Sequence, residues 1–202
     1  MKTLAIRGLV RPNLFGCLNN IMGLYKQFRP DRVLFCSWDS EVANLFYKLI
    51  RPIGAEKILY TEPYDDEFNC YSGTCATMGE GHWTKAGVFK GFIQTNNVLD
   101  KVGDGWVILT RPDLSIEVFD PEEWFVDGVY CQPEPCRYPN FNDQFSVADA
   151  ETMRRVWGFP VSEFARIIDG AKNPESAIWS RMKVLDINDK VIKVPHYELR
   201  RE

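Results

Sequence analysis

Arg111-Pro112-Asp113-Leu114 follows directly on the hydrophobic run Trp106–Leu109. Proline restricts the chain at that point, so Asp113 is presented from a rigid position. A hard carboxylate placed this way suits Mg2+ or Mn2+ held largely through ligand phosphates and water. Arg111 offers phosphate a planar fork of donors. The same residues suit an Arg–Asp pair closing a turn, and residue type alone does not separate the two readings. Three other apolar runs also end in polar residues: at Arg7-Gly8, at Ser37-Trp38-Asp39 and at Glu62. Ligands of open α/β sheets bind beyond the carboxyl ends of the strands, so four polar ends together point to a site. Neither the glycine-rich dinucleotide fingerprint nor the phosphate-loop motif is present. A nucleotide bound here is therefore held by side chains and a metal. Arg11, beyond the first run, and Lys85 and Lys90, in a later helical stretch, are further cations within reach of a diphosphate. Solvated helix lysines are the plainer reading of the last two.

The remaining reactive side chains are few. Of two histidines, His82 falls in a polar, turn-rich stretch and His196 follows Pro195. Cys17 and Cys36 lie in apolar contexts and read as buried thiols. Cys70/Cys75 and Cys131/Cys136 share a spacing that only grazes that of structural zinc pairs, so they read as loop thiols without zinc. This usage fits a reducing cytoplasm.

The elements that must position these groups are legible from periodicity. Thr3–Ile6, Arg32–Ser37 and Lys57–Tyr60 read as buried strands. Between them, Leu14, Leu18, Ile21, Met22 and Tyr25 recur at helical spacing, and Glu41–Ile50 forms a second amphipathic helix. The result is a βαβαβ opening to a mainly parallel sheet. Residues 63–84 break the rhythm and read as a long loop, either a functional lid or poorly ordered. Trp83–Val102 is the next helix, with Val88, Phe92 and Leu99 on its apolar face, and Trp106–Leu109 the fourth strand. Further on, Ile116–Phe119, Trp124–Tyr130, Phe145–Ala148 and Lys190–Val194 are strand candidates. Cys131–Asn142 reads as loop, Asp149 as a helix cap, Pro160–Ile168 and Pro174–Lys183 as helices, and the end as a charged tail. The 202 residues, 45% hydrophobic and 26% charged, suit a globular domain with a sizeable core. A net charge of −4 argues against nucleic acid as the partner, and no apolar run approaches the roughly 20 residues of a membrane span.

The blocks LAIRGLVR, RVLFCSWD, GWVILTRPDLSI and NDQFSVADAETMRRV, in that order, resemble bacterial and viral polysaccharide glycosyltransferases. More narrowly, they are similar to the small capsid-glycosylating glycosyltransferase domains of chlorella viruses. The likeness runs from Leu4 to Met182. It implies an α/β chain of the GT-A, Rossmann-like fold, one domain over 1–202, with 1–113 binding nucleotide and 114–202 binding sugar and acceptor. It further implies a UDP-sugar or similar donor with Mn2+ or Mg2+, and transfer of a hexose or deoxyhexose to a glycan or glycoprotein. In a virus, the setting would be capsid glycosylation in the host cytoplasm.

Carried across by position, the resemblance puts Asp113 on the Asp-x-Asp metal site of that fold, with Ser115 in place of the second aspartate. One carboxylate must then do most of the anchoring. Arg7 and Gly8 fall along the nucleotide, and Trp38 and Asp39 near the base. Arg11, Lys90 and Arg111 supply charge for the diphosphate. Asp143 and Gln144 fall beside the donor sugar and acceptor as catalytic candidates. Asp143 would act as base or stabilise developing positive charge; its alternative role is a turn residue ahead of Phe145. His196 is placed as the late histidine that completes a metal shell. Two other readings stand beside this one. A nucleotidyltransferase acting on sugar phosphates would need a glycine-rich, lysine-bearing loop near the first strand, which is missing. A non-catalytic saccharide-binding module could use the six tryptophans and eight tyrosines as stacking platforms.

Overall fold

The computed structural model describes residues 1–11, 13–62, 85–118, 120–133, 144–158, 160, 162–163, 166–167, 174–187, 190–194 and 197–201. Three apolar runs make parallel strands β1 (Lys2–Arg7), β2 (Arg32–Trp38) and β3 (Ala55–Tyr60). Parallel neighbours need crossovers, which helices α1 (Leu14–Phe28) and α2 (Glu41–Ile50) provide. Local chemistry sets the ends of both. The Asn13 side chain accepts from the Gly16 amide and Ser40 from the Ala43 amide, each satisfying an orphan donor of the first turn. Arg29, in the left-handed conformation ahead of Pro30, stops α1.

Helix α3 (Lys85–Leu99) then carries the chain back across the sheet, and β4 (Trp106–Thr110) pairs parallel to β1 on its other side. Beyond β4 come β5 (Leu114–Val118), β6 (Tyr130–Pro133), β7 (Ser146–Asp149), α4 (Ala150–Trp157), α5 (Pro174–Val184), β8 (Val191–Val194) and β9 (Tyr197–Arg201). The main sheet runs β3-β2-β1-β4-β7-β6-β8. β7 is antiparallel to both β4 and β6, and β6 is parallel to β8, so six strands share one direction and β7 opposes them. Apolar side chains fill both faces. Ala5, Leu34 and Leu109 pack with Phe89, Met153 and Ile178 under α3, α4 and α5. Leu4, Phe35 and Ile108 pack with Ile21, Phe46 and Leu114 under α1, α2 and β5.

Asp149 caps α4 as its sequence position suggests, accepting from the Thr152 amide and hydroxyl and from the Gly128 amide. Three expectations are corrected. Trp124–Tyr130 is not a strand: Pro121–Trp124 is a 3-10 turn that drives Trp124 into the core. Cys131–Pro133 is strand rather than loop, its Cys131 and Gln132 fully buried between β7 and β8. Its proline stands last, where a missing N–H does least harm. The charged tail is β9, antiparallel to β5. In β5, Leu114, Ile116 and Val118 face the core by strict alternation, while Gln27 of α1 bonds its backbone at Ile116 and Val118. The expected loop over 63–84, with His82, Cys70 and Cys75, lies outside the described residues, as do Cys136 and residues 161, 164, 165 and 168 of the helix expected over 160–168.

Candidate functional site

The strand order reverses between β1 and β4, because β1 to β3 advance one way and α3 returns the chain to the other. At such a switch point the loops beyond two neighbouring strands part and leave a crevice. Register aligns Arg7 with Cys36 and Ile6 with Thr110, so Arg7-Gly8, Ser37–Asp39 and Arg111–Asp113 all emerge at one edge. Since β7 is reversed, its beginning reaches this edge too. Ser146 pairs with Leu109, which carries Gln144 alongside the end of β4.

Asp113 is the best-defined group there. Its side chain is only 7% exposed and is held from two sides. Arg111 grips it with a two-point fork, Nε to Oδ1 at 2.9 Å and Nη2 to Oδ2 at 2.7 Å. Arg11 donates from Nε to Oδ2 at 3.2 Å, across 102 residues of chain. Beneath, Asn20 of α1 donates to the Pro112 carbonyl and ties the turn down. Burial pushes the Asp113 carboxyl up, but the two guanidinium groups outweigh it and hold the group below the ordinary carboxylate range. Such a carboxylate stabilises the fold above the unfolded value of about 3.9. That contribution is lost as pH falls through the lowered folded value. Asp113→Asn should therefore lower stability by about 2 kcal/mol at pH 7, the scale of a charge-assisted hydrogen bond. The gap to the parent should begin to narrow below about pH 4 and close as pH falls through the lowered folded value. Urea melts of both proteins at pH 7 and pH 3 check this; an unchanged gap in acid would assign the loss to packing instead.

Gly8 lies against this cluster. It has φ +114, its amide bonds the Cys36 carbonyl, and a Cβ there would stand 3.7 Å from Cγ of Arg111. The backbone turn and the close approach of Arg111 both favour glycine. Arg7 turns to the other face of the sheet. Its residue is 5% exposed, its Nη1 lies 3.9 Å from where a Gly91 Cβ would be, and its guanidinium sits 5.7 Å from the Trp157 ring. Tyr130 accepts from Trp157 Nε1 at 3.3 Å and fixes that ring.

At the level of sequence, no family model and no curated protein matches this chain. Its architecture does match solved structures. The galactosyltransferase LgtC, in complex with donor and acceptor sugar analogs, superimposes with TM-score 0.58 at 12% identity, over 96% of this chain and 73% of that one. An active-site glutamine-to-glutamate variant of LgtC gives 0.55 at 11%, over 90% and 70%. Mouse xyloside xylosyltransferase 1 in apo form gives 0.52 at 11%, over 96% and 85%. The fold is GT-A.

Within this GT-A sheet the remaining candidate residues divide. Gln144 is buried, 8% exposed, and stands at the site edge as described. Trp38 also reaches the edge, but at 3% exposure it is a core residue with no open face for stacking. Asp39 is exposed and accepts from Asn44 Nδ2 at 2.7 Å, while its amide bonds the Tyr60 carbonyl. Lys90 of α3 pairs with Glu62 at 2.8 Å, joining the ends of α3 and β3. The side chain of Lys85, together with Asp143 and His196, lies outside the described residues. β9 sets Arg201 and Arg200 opposite Leu114 and Ser115, and Tyr197 opposite Val118. The arginine end of that strand thus borders Asp113. Among the described residues no three His, Cys, Asp or Glu side chains form a group able to hold a metal. Burial lifts the Cys36 thiol to about 12 and the Cys131 thiol to about 11, so neither is a nucleophile at neutral pH.

Sequence reading missed Trp157 as the support of Arg7, and Gln132-Pro133 as a further strand end at this edge. Trp157 read as one more apolar position of α4, and nothing in its spacing marks a cation 150 residues earlier in the chain. Among the described residues no helix is long and apolar enough to cross a membrane.

Proposed function

We propose that this chain is a glycosyltransferase that binds a nucleotide-sugar, of the UDP-sugar class, at the β1–β4 switch point. It passes the sugar to a hydroxyl of a glycan or glycoprotein. The observation that carries this is the pair Arg11 and Arg111 at the switch point of a GT-A sheet, where a diphosphate needs cations. Two features of the structural neighbours support it. LgtC was solved with donor and acceptor sugar analogs, and it has a glutamine in its active site. In this chain Gln144 is buried beside the end of β4, and we take it as the candidate for such a role.

The chemistry follows from charge. The acceptor oxygen attacks the anomeric carbon, the bond from that carbon to the diphosphate oxygen breaks, and the nucleoside diphosphate leaves with the electron pair. Cations fixed around the diphosphate stabilise the charge it gains. Asp143, next to Gln144 in the chain, takes the acceptor proton.

A divalent ion is what the resemblance implies at Asp113, and the described donor set does not fit one. Both oxygens of the single carboxylate are occupied by guanidinium donors, and Ser115 replaces the second acid. No step is therefore assigned to a metal.

The test is thermal melting with UDP, UDP-sugars and other nucleoside diphosphates, with Mn2+ and with chelator. A ligand at 100-fold its Kd adds about 2.7 kcal/mol, a rise of roughly 5–10 °C for a chain this long. Flat melting curves with every nucleotide at millimolar concentration would end the nucleotide-sugar reading.

A further inference from the structure

We propose that Asp39 binds the ribose of the donor and selects ribonucleoside diphosphate sugars over deoxyribonucleoside ones, its carboxylate being set in place by Asn44 and Lys57. The inference rests on the nucleotide-sugar reading and names the donor class within it. Position comes first. Arg7 pairs with Cys36, and the Gly8 amide bonds the Cys36 carbonyl, so Asp39 stands three residues beyond that pair on the strand beside β1. β4, with Asp113 beyond its end, flanks β1 on the other side. Neighbouring strands lie about 4.8 Å apart, so the ends of β2 and β4 are roughly 10 Å from each other. A nucleoside diphosphate covers that distance between its ribose hydroxyls and its terminal phosphate. Gly8 follows the strand between them and has no side chain to stand in the way.

The second observation is how Asp39 is held. Asn44 Nδ2 donates to Asp39 Oδ1 at 2.7 Å and to the Ser40 carbonyl at 3.0 Å, and Lys57 Nζ donates to Asn44 Oδ1 at 3.1 Å. The ammonium has only donors, so it takes the amide oxygen and turns the amide nitrogen toward the carboxylate. Lys57 lies over the Tyr47 ring, 5.2 Å from its centroid. The Asp39 main chain is tied separately, its amide bonding the Tyr60 carbonyl at 2.7 Å. An exposed side chain is thus ordered before any ligand arrives, which lowers the cost of binding one. The third observation is what the carboxylate still offers. Among the described residues Asn44 alone donates to it, through one hydrogen bond to Oδ1. Oδ2 and the second lone pair of Oδ1 are left to accept from a ligand. Two adjacent hydroxyls of a ribose supply two such donors, and in dinucleotide-binding sheets an acid on the next strand takes a ribose hydroxyl in this manner. A carboxylate repels phosphate, so the diphosphate lies toward Arg11, more than half of whose side chain is open to solvent. Asn44 is a positioning residue that acts through Asp39.

The experiment is calorimetric titration of UDP, GDP, ADP and CDP, each beside its deoxyribose form, into the intact chain in Mn2+ and again in chelator. Asp39→Ala and Asn44→Ala are run beside the parent, each first checked for a cooperative melt. The nucleotide that binds should do so roughly tenfold more tightly than its deoxyribose form, the scale of one hydrogen bond to a charged group. Asp39→Ala should bring the two forms within about twofold of each other, because the group that tells them apart is gone. Asn44→Ala should leave a ratio of about threefold, since the carboxylate remains but has lost its pre-ordering. Asp39 also precedes the first turn of α2, where a negative charge is favourable. Were that its whole role, Asp39→Ala would lower the melting temperature and leave the ratio at the parent value, which would overturn the assignment. Equal affinity of the parent for the two forms would overturn it as well and leave the nucleotide-sugar reading standing. If the parent binds no nucleoside diphosphate in either arm, the reading and the assignment fall together.

Discussion

Replacing Asp143 with asparagine should cut sugar transfer, or slow hydrolysis of the donor, by roughly 10²–10⁴-fold, the range of a positioned acid–base group. Nucleoside diphosphate affinity should hold within about twofold, because the substitution changes no group placed on the diphosphate. The basis is position along the chain. Gln144 enters the switch-point edge beside the end of β4, and Asp143 precedes it directly. Asparagine keeps the size of the side chain and one carbonyl oxygen, so a large loss would implicate charge or basicity rather than shape. Donor turnover and calorimetric titration on the same preparations separate the two effects. Turnover at the parent rate would make Asp143 a turn residue and move the catalytic group elsewhere.

The second large effect is on the frame that holds Gln144. Trp124 is 1% exposed and its ring meets Phe145 edge-on at 5.2 Å and Phe28 at 6.5 Å. Phe28 closes the group, 6.1 Å from Phe145. Phe145 is also the residue between Gln144 and β7, so this aromatic cluster fixes where β7 begins. Trp124→Ala removes the largest member and leaves a cavity that α1 and β7 fill only in part. The expected loss is about 3–5 kcal/mol of stability. Urea denaturation measures it. A loss below about 1 kcal/mol would show that the cluster collapses freely and does not set the position of β7. Trp124→Phe should retain most of the stability, since it preserves an aromatic edge contact.

Much of the framework was legible because its signals are local. Apolar runs at 3–6, 32–37 and 106–109 had to be strands, and Asp149 had to cap a helix, whatever the rest of the chain did. The βαβαβ opening then forces a parallel sheet, and the polar strand ends have to meet at its carboxyl edge. The short strands late in the chain were harder. Tyr130–Pro133 sits in a proline-rich stretch with no alternation, and it becomes strand because β7 and β8 bury it from both sides. β9 carries mostly polar residues, and only the edge left by β5 makes it a strand.

For the site, local pattern alone was enough to say which residues stand at the edge: Arg7, Gly8, Asp39, Arg111, Asp113 and Gln144 follow or precede the strands. What those residues do to one another depends on packing between distant segments. Arg111 and Asp113 had two open readings, metal and phosphate site or closing pair, and the fold brings Arg11 from 102 residues away to share the carboxylate. Arg7 is drawn under α3 against Trp157, and Trp38 is sealed into the core. The physical reason is range. Element type follows from neighbours within a turn or two of the chain, whereas the partner of a buried charge is chosen by whichever groups the packed layers bring within about 3 Å, and desolvation makes that choice decisive.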